Sequence, residues 1–214
     1  MGTGTGRDAL AAEVREALQA CCARSRTELV GSLADGNADE FSDIDLLWIV
    51  PDAEFAACLS GAVAALERVR SVTSVRSDPD FHRSLRRRLL FVRFARVPLF
   101  WRLDLDIRCA SVAGDPDHDT GNPAARARAG EWSRPASALA NAVGAVKAVA
   151  RGRQEQARGL LDRGFARIGV PDRASGDWGA DVARLAWAAV AQDPSLAEPA
   201  AEVGALARAY LGSG

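Results

Sequence analysis

Two aspartates separated by one residue, Asp43 and Asp45, open the apolar run Ile44 to Val50, and ten intervening residues separate them from the pair Gly31-Ser32 upstream. On an extended strand, side chains at i and i+2 leave the same face, so the two carboxylates stand together. Like charges that close call for a cation, and a set of hard oxygen ligands suits Mg²⁺. A Gly-Ser turn between a strand and a helical start can aim backbone N–H groups and a hydroxyl at a phosphate. Acids for a metal beside donors for phosphate point to a nucleoside triphosphate. A second acidic pair, Asp104 and Asp106, alternates with Leu103, Leu105 and Ile107 between Arg102 and Arg108. Period two places both acids on one face, which is a wet surface or a site.

The elements that must carry these residues follow from periodicity. Leu10, Val14, Leu18 and Cys21 or Cys22 recur at helical spacing, which predicts an amphipathic first helix over 7–22. A short strand at Leu29-Val30 ends at Gly31-Ser32, and Leu33 to Ser42 reads as a polar loop. Ile44 to Val50, closed by Pro51, reads as a buried central strand. Asp52 is placed to cap a second helix over 53–70, with Phe55, Leu59, Val63 and Leu66 on one face. A strand near 72–75 follows, and the runs 89–94 and 99–109 flank Arg96-Val97-Pro98 as an antiparallel pair. Residues 110–134 are rich in turn formers and mark a boundary; beyond them the chain is Ala-rich and helical over 135–170, 181–192 and 195–211.

Composition narrows the function classes. The 214 residues carry 27 Lys plus Arg against 28 Asp plus Glu, and mean hydropathy is −0.07. That balance excludes a disordered chain and a non-specific nucleic-acid coat, because the latter rests on excess cationic side chains. No segment approaches a membrane span and Met1 to Gly6 lacks the pattern of a signal peptide, so the expectation is a cytoplasmic protein with no membrane partner. Cys21, Cys22, Cys58 and Cys109 lack CxxC spacing and read as reduced thiols. His82 and His118 are isolated, and the sequence assigns no zinc.

The stretch Val30-Gly31-Ser32, ten residues, then Asp43-Ile44-Asp45-Leu46 resembles the signature of the nucleotidyltransferase superfamily with the DNA polymerase β-like catalytic fold. The resemblance is specific over residues 28–50, supportive over 88–109 and architectural over 131–214. It implies an α+β fold, with a small mixed or antiparallel sheet flanked by helices, followed by a C-terminal helical bundle. The implied domains are a catalytic one at 1–130 and a helical one at 131–214. The short length and the helical C-terminal part look like the aminoglycoside and other small-molecule members. By that resemblance two Mg²⁺ ions bridge Asp43, Asp45 and the triphosphate. An acceptor hydroxyl attacks the α-phosphorus and pyrophosphate leaves. Asp104 is the implied third carboxylate, as metal ligand or general base, with Asp106 as the other candidate. The resemblance further implies that Gly31 and Ser32 bind the nucleotide. Lys147, the chain's single lysine, and Arg151 lie one turn apart beyond Asn141 and are candidates to bind the triphosphate. Transfer to a protein or tRNA partner, as in toxin–antitoxin systems, and a non-catalytic nucleotide sensor are the alternative readings.

Other features are read more plainly. Glu131, Asp177 and Asp181 could line an acidic acceptor pocket in the helical part. Arg83, Arg86, Arg87, Arg88, Arg93 and Arg96, interleaved with Phe91 and Phe94, read as a solvated turn whose aromatic residues face the core. Gly2 to Gly6 lacks a preceding strand and reads as a tail rather than a dinucleotide fingerprint. Asp115 to Asp119 begins like a calcium loop, but Thr120 and Arg126 stand where glycine and glutamate belong.

Overall fold

The computed structural model describes residues 6–212, and the chain divides into two compact units, Met1–Trp132 and Ser133–Gly214. Gly6 opens the first helix; the rest of the Gly2 to Gly6 tail lies outside the described residues. The first unit runs α1 (Gly6–Cys21), β1 (Arg26–Val30), α2 (Gly31–Ala34), β2 (Ile44–Val50), a 3₁₀ turn (Asp52–Glu54), α3 (Phe55–Glu67), β3 (Val72–Ser77), β4 (Arg87–Phe94) and β5 (Leu103–Cys109).

The five strands form one mixed sheet in the order β1-β2-β5-β4-β3. β2 and β5 are parallel, and every other neighbouring pair is antiparallel. Alternation along β5, from Leu90 along β4 and over the first half of β2 gives this sheet one dry face. Leu46 and Trp48 of β2, Leu103, Leu105 and Ile107 of β5, and Leu90, Val92 and Phe94 of β4 form one hydrophobic core with Leu10, Val14 and Leu18 of α1 and Ala62 and Leu66 of α3. The apolar stripes of α1 and α3 are buried there by the hydrophobic effect. Residues of the opposite parity, including Asp45, Asp104, Asp106 and Phe91, fall on the other face. The first element of the loop predicted at 33–42 is in fact the single helical turn α2.

Asp52 does not cap α3. Its carboxylate accepts from the Ser111 N–H at 3.0 Å and from the Ser111 hydroxyl, and the segment it opens is the 3₁₀ turn. The side chain thus ties the exit of β2 to the residues after β5, a long-range partner that outcompetes the local cap.

The second unit holds α4 (Arg134–Ala150), α5 (Gln154–Arg167), α6 (Trp178–Gln192) and α7 (Ala197–Leu211). Ser133 caps α4 by accepting from the Ala136 N–H, and Pro135 occupies its first turn, where no N–H is needed. Small residues let these helices approach closely: a Cβ on Gly164 would stand 2.5 Å from a Leu185 methyl. No helix among the described residues is long and apolar enough to cross a membrane.

Candidate functional site

Placement of the acids starts at the end of β1. Gly31 has φ +63°, a left-handed conformation that glycine adopts without strain and that turns the chain into α2. It also lies against the site, since a Cβ there would stand 2.7 Å from Asp45 Oδ2. Gly31→Ala is therefore expected to cost about 1–2 kcal/mol in left-handed strain. By displacing Asp45 it should also lower turnover by about 10²-fold. A denaturation curve and a rate measured together check both; an unchanged rate would mean that Asp45 does not depend on this close approach.

The spacer after α2 is held in place. The Ser42 hydroxyl donates to Asp39 Oδ1 at 2.9 Å, the Phe41 N–H donates to the same oxygen, and the Asp39 N–H donates to Ser42 Oγ. Arg7 of α1, 6% exposed, reaches across to donate to the Asp39 and Ser42 carbonyls. Phe41 packs edge-on against Phe100 at 5.3 Å between ring centroids. These contacts fix the chain immediately before Asp43.

Pairing then gathers the acids. In the parallel register Asp45 stands opposite Asp104, and the Ile44 N–H donates to the Arg102 carbonyl at 2.9 Å. Arg102 grips Asp104 bidentately with one guanidinium edge, Nε to Oδ1 at 2.5 Å and Nη2 to Oδ2 at 2.6 Å, and its Nη2 lies 3.6 Å from Asp43 Oδ2. Its guanidinium carbon sits 4.7 Å from the centre of the Phe91 ring, which Arg76 covers at 5.0 Å. Burial opposes the charge on Arg102, but the pull of Asp104, Asp43 and Asp45 outweighs it and raises its pKa above the ordinary arginine value. A cation is already drawn among these carboxylates.

Asp106 has different company. Arg87 donates to it from Nε at 3.3 Å and Nη2 at 3.0 Å, and Arg108 from Nε at 3.0 Å and Nη2 at 2.7 Å. Arg87 also donates to the Pro116 and His118 carbonyls and lies 3.8 Å over the Phe81 ring. So the arginine-rich segment is not simply a solvated turn: Arg87 is buried and structural. Phe94 is in the core as expected, whereas Phe91 is on the opposite face. The sequence displayed Arg102 and Arg87 without their partners, because pairing depends on strand register.

Ser32 lies in the first turn of α2. Lys147 and Arg151 lie in the second unit, where the Arg151 N–H donates to the Lys147 carbonyl at the end of α4. The suggested acidic acceptor pocket is not supported. Asp181 is fully buried, accepting from Ser175 and Gly176 and paired with Arg184. Asp177 caps α6, and Glu131 belongs to the first unit, accepting from the Arg128 N–H and from Arg83. These three carboxylates serve the backbone and their neighbours.

No curated protein matches the chain. Residues 11–89, from within α1 to within β4, match the family model of the nucleotidyltransferase domain, a span that contains Gly31, Ser32, Asp43 and Asp45 and stops short of Asp104. With that match lying over the turn, the spacer and the paired acids, residues 11–89 are similar to a nucleotidyltransferase domain, which supports a transferase of general nucleotidyl-transfer type.

Proposed function

We propose that the chain transfers a nucleoside monophosphate from a triphosphate to a hydroxyl of a small molecule, of the aminoglycoside type, with release of pyrophosphate. The observation that carries this reading is the pairing of Asp45 with Asp104 on adjacent parallel strands, with Asp43 joined to Asp104 through Arg102. Three carboxylates give the hard oxygen set that Mg²⁺ prefers, and their hold on a guanidinium indicates a field suited to cations. Mg²⁺, two ions by family resemblance, would offset the triphosphate charge and polarise the α-phosphorus.

The protein's own groups have distinct parts. Asp43 and Asp45 would hold the cations, and Asp104 would be a further ligand or accept the proton of the attacking hydroxyl. Gly31 and Ser32 meet the phosphates, with Gly31 also setting the position of Asp45. Lys147 and Arg151 are the phosphate-binding candidates of the second unit. Arg102, which pairs with Asp104 and lies beside Asp43, is the guanidinium placed to bind a phosphate at the same carboxylates that would hold the cations.

The test is pyrophosphate release with Mg²⁺, each of the four nucleoside triphosphates, and a panel of aminoglycosides and other hydroxylated antibiotics. Release that requires one acceptor and vanishes in Asp45→Asn supports the reading. Triphosphate binding without acceptor-dependent release across the panel removes the small-molecule acceptor and directs the search to a macromolecular one.

A further inference from the structure

On the helical side of the sheet, three ligand residues meet that the sequence keeps apart. Cys22 is the first residue after α1, Glu54 ends the 3₁₀ turn, and Cys58 lies in the first turn of α3. One ligand atom from each, the two sulfurs and a carboxylate oxygen, lie within 4.8 Å of one another. Both thiols are 4% exposed, and Cys22 Sγ donates to Glu54 Oε2 at 3.0 Å. The other Glu54 oxygen is taken by Arg24. All four cysteines are free thiols.

We propose that Cys22, Cys58 and Glu54 form a binding site for a thiophilic divalent cation of the zinc class, separate from the carboxylates of the opposite face. Two sulfurs and one carboxylate match the donors that zinc takes and that Mg²⁺ does not. With Zn–S near 2.3 Å and Zn–O near 2.1 Å, tetrahedral ligand edges are about 3.5–3.8 Å, so closing the present cluster asks for a shift of roughly 1 Å. Charge also balances: two thiolates and a carboxylate against a dication and the Arg24 guanidinium sum to zero. Arg24 occupies the place of an outer partner that orients a ligating carboxylate.

Cys21, next to Cys22 in the chain, lies beside α3 but is exposed and stands outside the three-ligand cluster. Its sulfur lies 3.1 Å from where a Gly61 Cβ would be, and Gly61 follows Cys58 by one helical turn. The proposed role is structural. The cation would pin the end of α1 to the start of α3 at the exit of β2, whereas Asp43 and Asp45 flank its entry, about 20 Å away along the strand.

The experiment titrates the reduced full-length chain with Co²⁺ and Cd²⁺ in excess Mg²⁺, following thiolate-to-metal absorption in the near ultraviolet. One equivalent with that band is expected, present in Asp45→Asn and absent in Cys22→Ser and Cys58→Ser. Should a serine variant fail to fold, Glu54→Gln carries the test, with cadmium affinity expected to fall at least about tenfold. Absence of the band in the unaltered chain overturns the proposal, as does its survival in both serine variants. Neither result bears on nucleotidyl transfer, which Asp45→Asn reads separately.

Discussion

Asp45→Asn is expected to reduce nucleotidyl transfer by at least about 10³-fold with the fold intact, and Asp43→Asn to do the same. The substitution keeps the side chain's shape, so the close approach to Gly31 survives, while the charge opposite Asp104 is lost. Repulsion among three acids alone would make each asparagine variant more stable. The structure shows why that gain should be small: Arg102 already sits between Asp43 and Asp104 and offsets the repulsion. A change in unfolding free energy within about 0.5 kcal/mol is therefore expected for Asp45→Asn. In an Arg102→Ala background the same change should become stabilising, with a coupling of about 0.5–3 kcal/mol in a double-mutant cycle. Steady-state rates and chemical denaturation of the four proteins check both statements. Turnover by Asp45→Asn within about tenfold of the unaltered chain would move the chemistry off this strand.

What could be read from residues alone divides along a physical line. The strand at 44–50 and the acids flanking its start were legible because one apolar run with a period-two polar face needs no partner to be recognised. The helix over 6–21 was legible for the same local reason. The choice between Asp104 and Asp106 was not, because both satisfy the same alternation and only the register of β5 against β2 and β4 tells which acid meets Asp45 and which meets Arg87. Asp52 misled in the same way: a cap is a local inference, and Ser111 is 59 residues distant. The acceptor pocket failed because carboxylates counted by type carry no record of their hydrogen bonds. Asp181 is spent on Ser175, Gly176 and Arg184. Cys22, Glu54 and Cys58 escaped because their convergence needs α1 and α3 packed side by side.

Asp104→Asn and Asp106→Asn are expected to fail in opposite ways. Asp104 lies beside Asp45 and is gripped by Arg102, which keeps Asp43 as a second partner. Its asparagine variant should fold nearly as well as the unaltered chain and lose about 10²–10⁴ in rate, the range for a ligand or general base. Asp106 instead joins two guanidiniums of low exposure, Arg87 at 9% and Arg108 at 11%, to β5. Through Arg87 it also anchors the Pro116 and His118 carbonyls. Removing its charge leaves two cations sharing one neutral acceptor, and breaking buried pairs of this kind costs about 3–5 kcal/mol when nothing replaces them. A loss of about 2–4 kcal/mol is expected for Asp106→Asn, since the asparagine oxygen still accepts, with the folded fraction turning over within about tenfold of normal. Rates normalised to folded protein separate the two cases, because a stability defect disappears on normalisation and a chemical one does not. Equal and mild losses in both would mean that the third carboxylate is not on β5. A rate loss confined to Asp106→Asn would mean that Arg87 and Arg108 give up their partner when substrate binds, which the geometry of Asp104 beside Asp45 argues against.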